Sequence, residues 1–184
     1  MQQTTGNDRL CFYSKSRDVP PGTGAGGEFV RDPAAYDALR SMPHWRRSLS
    51  NFDVDAPFEY DGLTYNSIEH AFQARKIRLV DPERARHFSL ESGHEIGRGD
   101  GSVAQKHRKY VMLSKETIAA WNEMSNRVMV DVSKAKYCAP ANERSRRVLL
   151  ATGNAELLHI SRGKPPVRFV HLEEIREQIF SRIV

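Results

Sequence analysis

The 184-residue sequence contains only two cysteines, Cys11 and Cys138, and no spacing of cysteine and histidine that matches a zinc site. Two cysteines without a secretory signal predict reduced thiols rather than a disulfide framework. No uninterrupted apolar run approaches the roughly 20 residues that span a bilayer, and residues 1–8 lack the basic and apolar regions of a signal peptide. We therefore expect an intracellular protein, cytoplasmic or nuclear in a eukaryote, with no membrane segment, metal or cofactor.

Charge of one sign is not concentrated in blocks. The 28 Lys and Arg residues exceed the 23 Asp and Glu residues, which gives a net charge of +5. This basic balance favours anionic partners, including ligands that carry phosphate, without choosing among them. The length predicts a single domain over residues 9–184, preceded by a disordered N-terminus over residues 1–8.

Apolar periodicity, caps and turn residues predict an α+β fold with many helices and few short strands. Strands are predicted at Leu10–Ser14 and Ala155–Ile160, and Asp61-Gly62 predicts a β-hairpin over residues 57–65. The glycine-rich residues 20–27 are interpreted as a loop rather than a phosphate-binding loop, and residues 92–101 as a turn region. Helices are predicted over residues 34–42, 81–90, 115–137, 142–151 and 172–183.

Another helix is predicted after the hairpin, beginning at Asn66 or Ser67. Glu69, Gln73 and Lys76 project from it at about 0°, 40° and −20°, so a carboxylate, an amide and an amine share one face. One interpretation is a capped surface helix, in which Glu69 completes a capping box with Asn66. The other interpretation makes Lys76 a nucleophile, which requires a pKa lowered by burial or by nearby positive charge.

Other candidate residues surround this helix in the sequence. Arg75 and Arg78 flank Lys76 and supply positive charge beside it. Trp121 suits core packing as well as stacking on a ligand. Arg98 lies between two glycines that permit close approach of the backbone to an anion. Arg162, Lys164 and Arg168 have two interpretations. They are either solvated charges of a loop or part of a site that binds an anion.

Three consecutive segments carry a more specific signal. They are Ser48–Phe52, Tyr60–Tyr65 and Ser67–Lys76, and the last of them contains Glu-His-x-x-Gln-x-x-Lys. Together they resemble the signature of the NADAR family, also called the YbiA-like family, and the resemblance extends from Leu10 to about Ile179. Later blocks that follow in the family's order are Gly97-Arg98, Trp121, Ala135-Lys136-Tyr137, Leu149–Gly153 and Leu172–Arg176.

The resemblance implies the NADAR fold and an N-glycosidase. Some members cleave aminated ribose-phosphate intermediates of riboflavin synthesis, and others remove ADP-ribose from guanine bases of nucleic acid. The family's glutamate, lysine and tryptophan positions match Glu69, Lys76 and Trp121. Under this hypothesis Lys76 attacks the anomeric carbon and forms an imine, Glu69 is the general acid and base, and Asp131 is a second carboxylate. Substrate-binding roles are predicted for Asn51, Phe52, Tyr65, His70, Gln73, Arg98, Trp121, Lys136, Arg162 and Arg168.

Two departures from the bacterial pattern bear on the substrate. The basic segment Ser161–Arg168 replaces the family's Trp-Gly-Asp-Gly, which favours a bulkier and more phosphorylated ligand. Residues 15–47 form a long insert, interpreted as a lid or a substrate-selecting segment. We therefore predict ADP-ribosylated nucleic acid, DNA before RNA, or another molecule containing ADP-ribose as the partner. The alternatives are phosphorylated intermediates of riboflavin synthesis, or a binding module without catalysis.

Overall fold

The computed structural model describes residues 7–182 and confirms a helix-rich α+β fold with few short strands. Of the predicted disordered segment, residues 1–6 lie outside this range. The strands are β1 (Arg9–Phe12), β2 (Phe58–Tyr60), β3 (Leu63–Tyr65), β4 (Glu156–His159) and β5 (Val167–Arg168). The helices are α1 (Asp37–Arg40), α2 (Trp45–Ser48), α3 (Ile68–Ile77), α4 (Pro82–Arg86), α5 (Glu95–Arg98), α6 (Gly101–Lys106), α7 (Lys115–Cys138), α8 (Glu143–Ala151) and α9 (Val170–Phe180).

The chain forms two compact units, which are described separately. The central unit is Asn51–Glu143. The terminal unit comprises the described residues up to Ser50 and from Arg144 onward. The predicted boundaries of a single domain and of an insert over residues 15–47 stay predictions.

In the central unit, the predicted hairpin is confirmed. Strands β2 and β3 pair antiparallel with Phe58 opposite Tyr65. The two turn residues between them, Asp61 and Gly62, have φ angles of 52° and 75°. Positive φ at both positions is what a tight hairpin turn with the twist of the strands requires, and Asp-Gly supplies it at low cost. The hairpin delivers the chain to α3.

The predicted long helix is also confirmed, as α7. The Ser114 hydroxyl caps it by accepting the Thr117 backbone N–H at 3.2 Å. Of the apolar stripe that the spacing predicts, Trp121, Val128 and Val132 are buried, whereas Ile118 near the start of the helix is exposed. Helix α3 packs against α7 and α6. Helix α3, which carries Glu69, Gln73 and Lys76, is therefore held in place by its packing on α7.

The turn region predicted at residues 92–101 is wrong, because α5 and the start of α6 lie there. The glycines serve close packing rather than flexibility. A Cβ at Gly97 would lie 2.2 Å from the Ser89 carbonyl oxygen, and one at Gly101 would lie 2.4 Å from Phe52 Cα. Helix α4 likewise ends at Arg86, before the predicted end near residue 90. Short capped helices with glycine at contact points give no long apolar period to recognise.

The terminal unit is built on a three-stranded sheet in the order β1-β4-β5. Strands β1 and β4 are parallel, and both were predicted from their apolar residues; the two-residue strand β5 pairs antiparallel with β4 and was not predicted. Helix α9 packs on β4 and begins at Val170, two residues before the predicted start. The predicted end of that helix at residue 183 lies outside the described range.

The glycine-rich loop of the terminal unit folds around a buried carboxylate. Glu28 accepts the backbone N–H groups of Gly22 and Gly24 at 2.7 and 3.1 Å, and that of Cys11 at 2.8 Å. The buried Arg46 side chain pairs with the same carboxylate at 2.6 Å. The amides therefore hold an internal anion, which agrees with a structural loop rather than a phosphate-binding loop. Within residues 7–182, no helix is long and apolar enough to cross a membrane.

Candidate active site

Helix α3 begins after Ser67, whose hydroxyl accepts the His70 backbone N–H at 3.4 Å. The same hydroxyl lies 2.7 Å from His70 Nδ1, and His70 Nε2 lies 2.9 Å from the Ile96 carbonyl. A carbonyl only accepts, so Nε2 carries the proton and Nδ1 accepts from the serine. Burial also lowers the pKa of this histidine, which favours the neutral ring. Although predicted to bind substrate, His70 is fully buried with both nitrogens bonded inside the protein, and it positions the start of α3.

The cap at Ser67 leaves the Glu69 side chain out of a capping box. His70, not Glu69, is the third helical residue, and the Asn66 side-chain amide instead donates to the Gly99 carbonyl at 2.9 Å. The Glu69 carboxylate accepts from Gln73 Nε2 at 2.9 Å. The capping-box interpretation of Glu69 is therefore wrong.

The predicted face of α3 is formed by a buried Glu69, a buried Gln73 and a half-buried Lys76. The Glu69 backbone N–H donates to the Asn51 carbonyl at 3.0 Å. This bond joins the Asn51-Phe52 segment to the first turn of α3. The structure thus brings the two most specific blocks of the sequence together at one end of the helix.

Opposite pKa shifts mark the carboxyl and the amine on this face. Burial raises the pKa of Glu69, against the Gln73 hydrogen bond and the positive charges of Arg108 and Lys76, which lower it. Burial lowers the pKa of Lys76, and Arg108 lowers it further, while Glu69 acts in the other direction. The protein therefore favours a protonated acid and a free amine more than water does, which is what acid catalysis and amine attack require.

The positive charge beside Lys76 comes from Arg108, a residue that the sequence analysis missed. Arg108 lies in the 3₁₀ turn His107–Lys109 that follows α6. The flanking residues Arg75 and Arg78 point the other way, at about −120° and 180° from Glu69 around the helix. They instead approach Asp61 at 3.6 and 3.7 Å. Helix geometry was enough to exclude the two flanking arginines, whereas only the fold brings Arg108 near.

Two amide oxygens at this site are buried without a partner among the described residues. They are Asn51 Oδ1 and Gln73 Oε1. The other end of each amide is occupied, since Asn51 Nδ2 approaches Met129 Sδ at 3.6 Å and Gln73 Nε2 bonds Glu69. A buried acceptor without a donor is costly. Both oxygens are therefore suited to accept from hydroxyl groups of a ligand.

Two aromatic residues predicted to stack on a base have different surroundings. Trp121 is buried on α7 and packs edge-to-face against Phe72, with ring centroids 4.9 Å apart. Phe52 is half-buried and lies over the backbone at Gly101, where no side chain larger than hydrogen fits. Trp121 thus fits the core-packing interpretation, whereas Phe52 borders the start of α6.

Four other predicted residues of the central unit lie outside the Glu69, Gln73 and Lys76 face. Asp131 is exposed on α7 and pairs with Arg127 at 3.8 Å. Lys136 is fully buried, with its Nζ atom 2.7 Å from Asp53 Oδ2. Tyr65 is buried, which raises its pKa to about 12. Arg98 is exposed at the end of α5, and its neighbours Gly97 and Gly99 pack against the protein itself.

The remaining two predicted residues belong to the terminal unit. Arg168 pairs with Glu173 at 2.7 Å and with Glu156 at 3.0 Å, so its charge is compensated within that unit. Arg162 is exposed in the loop between β4 and β5. Their predicted roles in substrate binding stay predictions.

No group of three or more histidine, cysteine, aspartate and glutamate side chains within residues 7–182 is arranged to hold a metal ion. Cys11 and Cys138 are both free thiols.

The fold and the site define an α+β protein that carries a buried acid and an amine on one helix face. A model of the NADAR domain matches residues 36–164, more than half of the chain, so the chain belongs to the NADAR domain family. The match confirms the resemblance and contains every predicted site residue except Arg168. Membership of this family supports an activity of the N-glycosidase type.

A solved structure gives the same result for the fold. The NMR structure of the E. coli protein YbiA is similar to this chain with a TM-score of 0.58 and 22% sequence identity, over 99% of this chain and 90% of that chain. At this identity the similarity shows the fold alone, and it confirms the predicted fold. No curated protein matches the chain.

Proposed function

We propose that this protein is an N-glycosidase that removes ADP-ribose from guanine in ADP-ribosylated nucleic acid. The observation that carries the proposal is the α3 face, where a buried carboxyl and a half-buried amine have pKa values shifted toward the protonated acid and the free base. Polar side chains on the solvated face of a helix are normally exposed, whereas Glu69 and Gln73 are both buried. The family supports the reaction type, and the net charge of +5 favours a ligand that carries phosphate.

Glu69 acts first as the general acid. Breaking an N-glycosidic bond moves electrons onto the base nitrogen and leaves oxocarbenium character on the sugar. Burial raises the pKa of Glu69, which favours a carboxyl that donates its proton to the departing guanine, and the resulting carboxylate stabilises the positive sugar carbon. The hydrogen bond from Gln73 holds the carboxyl group in one orientation.

Lys76 acts as the nucleophile. Its free amine forms a bond to the anomeric carbon as the bond to guanine breaks and the Glu69 proton passes to the base. The attached amine loses a proton to the Glu69 carboxylate. The ring oxygen takes up that proton as its bond to the anomeric carbon breaks, which leaves a protonated imine. Water then adds to the imine carbon to form a carbinolamine. Breakage of its carbon–nitrogen bond releases the ribose aldehyde and restores the Lys76 amine. Each step is easier than direct displacement by water.

The neighbours of this pair hold the sugar and base. The unpartnered oxygens of Asn51 and Gln73 accept hydrogen bonds from ribose hydroxyls. Phe52, which is half-buried, stacks on guanine. Arg98 lies outside this face, at the end of α5, and its role on the diphosphate stays a prediction.

The test is incubation of ADP-ribosylated guanine DNA with the parent protein, Lys76→Ala and a control, Lys115→Ala, in which an exposed lysine of α7 is removed. We expect release of ADP-ribose by the parent and the control and none by Lys76→Ala. No release by the parent overturns the substrate, and equal release by Lys76→Ala overturns the mechanism. Turnover of a phosphorylated pyrimidine glycoside alone, or ADP-ribose binding without turnover, identifies one of the two alternative functions.

A further inference from the structure

The terminal unit contains a cleft at the ends of β1 and β4 that has no part in the chemistry above. It consists of two adjoining cavities of about 470 and 550 Å³, which share Tyr13, Ala25 and Ile160 as lining residues. Each volume lies in the range of small-ligand pockets. We call this pair of cavities the strand cleft.

The strand cleft is basic. Arg17 and the paired Arg46 line the first cavity, and Arg162 and Lys164 line the second. Among residues 7–182, no aspartate or glutamate lines either cavity. Across the described part of the chain, Arg17, Arg162 and Lys164 take part in no ion pair. The nearby carboxylate of Glu28 is fully buried against Arg46 and backbone amides. The local positive charge is therefore left for a ligand, which must be an anion.

A second carboxylate near the cleft is also engaged. Asp18, which follows Arg17, accepts the His44 backbone N–H at 2.8 Å and lies 2.9 Å from His44 Nδ1. Asp18 is thus bound to His44 rather than to Arg17. The strand cleft keeps its cations because both carboxylates of this stretch are held by other groups.

An aromatic and an apolar residue, Tyr13 and Ile160, line both cavities and so border the cations of each. Tyr13 is half-buried beside Ile160, and Pro166 extends this surface. The wall is fixed in place: the Tyr13 backbone N–H donates to Ser16 Oγ at 2.9 Å. A Cβ at Gly26, where φ is +82°, would lie 2.6 Å from Ile160 Cγ2, so the loop approaches β4 as closely as glycine allows. A flat ring bordered by separated cations is the arrangement that binds unstacked bases and phosphates.

We propose that the strand cleft binds single-stranded nucleic acid, with Arg17, Arg162 and Lys164 on phosphates and Tyr13 against a base. The proposal rests on the proposed function, because it makes the substrate a single strand rather than a free nucleotide. A duplex keeps its bases stacked and paired, so it cannot place one against Tyr13. An acidic peptide would use the cations but not the aromatic surface.

The experiment measures fluorescence anisotropy of an unmodified single-stranded oligonucleotide of about 12 nucleotides, a length within the range of known strand-binding sites. The double variant Arg162→Ala/Lys164→Ala is compared with Arg40→Ala/Arg147→Ala, which removes two exposed arginines of the same unit outside the cleft. We expect the first to lower affinity at least tenfold more than the control, on the order of two phosphate contacts, and to reduce the salt slope by about 1.4. Equal losses in the two double variants overturn the proposal.

A second pair of variants tests the aromatic surface. Tyr13→Ala is expected to weaken binding by about fivefold or more, the effect of one lost stacked base, and Tyr13→Phe to retain it. Melting temperatures confirm that each variant is folded. The proposed binding of a single strand is overturned if duplex of the same length binds as tightly as the single strand. It is also overturned if polyglutamate displaces the labelled oligonucleotide as well as unlabelled single strand does. Because the oligonucleotide carries no ADP-ribose, these results are independent of turnover, so failure of the strand cleft and failure of the glycosidase are separate outcomes.

Discussion

Two lysines of the central unit lie near carboxylates, and the fold treats them differently. Lys136 is fully buried, with Nζ 2.7 Å from Asp53. Lys76 is half-buried and makes no ion pair within the described residues, although Glu69 lies near enough to affect its pKa. Burial lowers both lysine pKa values. The comparison shows that a buried lysine in direct contact with its partner holds structure, whereas an unpaired one beside a cation is available for chemistry.

The paired lysine has a structural consequence for the site. Asp53 follows the Asn51-Phe52 segment by one residue, so its bond to Lys136 ties that segment to α7. The Glu69 backbone bond ties the same segment to α3. Lys136 is predicted from the sequence to bind substrate, but its buried position indicates an indirect role, because its bond to Asp53 holds residues that border the site.

The largest expected effect comes from Lys76→Arg, which keeps the charge and removes the nucleophile. A guanidinium stays protonated at any usable pH. We expect turnover to fall by at least about 10³-fold, while the free energy of unfolding changes by less than about 1 kcal/mol. Initial rates and urea unfolding measure the two quantities. A variant that keeps its rate contradicts the difference drawn between the two lysines.

Lys136→Met is expected to show the opposite pattern, a loss of stability. It leaves the Asp53 carboxylate buried without a partner, which costs about 3–5 kcal/mol. The double variant Lys136→Met/Asp53→Leu removes the stranded charge and is expected to recover most of that loss. Urea unfolding of the three proteins gives the comparison. If Lys136→Met unfolds like the parent, the buried pair does not hold this segment.

Glu69→Gln keeps the shape of the side chain and the acceptor for Gln73 but cannot supply a proton. Loss of a positioned general acid lowers rates by about 10²–10⁴-fold, so we expect a loss in this range in the release of ADP-ribose. Gln73→Glu, which leaves Glu69 in place, is not a suitable control because it adds a like charge. Asp131→Asn, at an exposed carboxylate on α7, is the matched control and is expected to keep near-parental rates.

The same variant has a predicted signature in stability against pH. The pKa of Glu69 is raised in the folded protein above its ordinary value of 4.5, so the folded state binds more protons in the interval above 4.5. Its contribution to stability is therefore lost as pH rises through the folded pKa. Glu69→Gln lacks this dependence. If parent and variant show the same slope between pH 4.5 and neutrality, the carboxyl is not perturbed as described.

Arg108→Gln is expected to have the smallest effect. Removing this cation raises the pKa of Lys76, so the pH at which the free amine becomes available moves upward and the rate at neutral pH falls by no more than about tenfold. The pH profile of kcat/KM measures the shift. Lys109→Gln removes the neighbouring charge as a control, and an equal shift in both variants assigns the effect to general charge rather than to Arg108.

Local signals were sufficient for several parts of the fold. Asp61-Gly62 predicted the hairpin because few dipeptides accept two positive φ angles. The stripe through Trp121, Val128 and Val132 predicted α7 within one residue of its end. The side-by-side arrangement of Glu69, Gln73 and Lys76 followed from helix geometry alone.

Other parts depend on contacts between residues distant in sequence. Arg108 reaches the site through the packing of α6 on α3, and no spacing in the sequence joins it to Lys76. The roles of Gly97 and Gly101 depend on the backbones that approach them, at Ser89 and Phe52. His70 was predicted to bind substrate, but it is buried. The sequence around His70 does not reveal that its ring will contact the Ile96 carbonyl, which lies 26 residues away.

The most direct test of the account is trapping of the imine. The parent protein is mixed with ADP-ribosylated guanine DNA and borohydride, which reduces an imine to a stable amine, and the protein is digested and mapped by mass spectrometry. The account predicts a sugar attached at Lys76 in the parent, and none in Lys76→Arg. An adduct at another residue, or release of ADP-ribose by the parent without any adduct, would contradict Lys76 as the nucleophile.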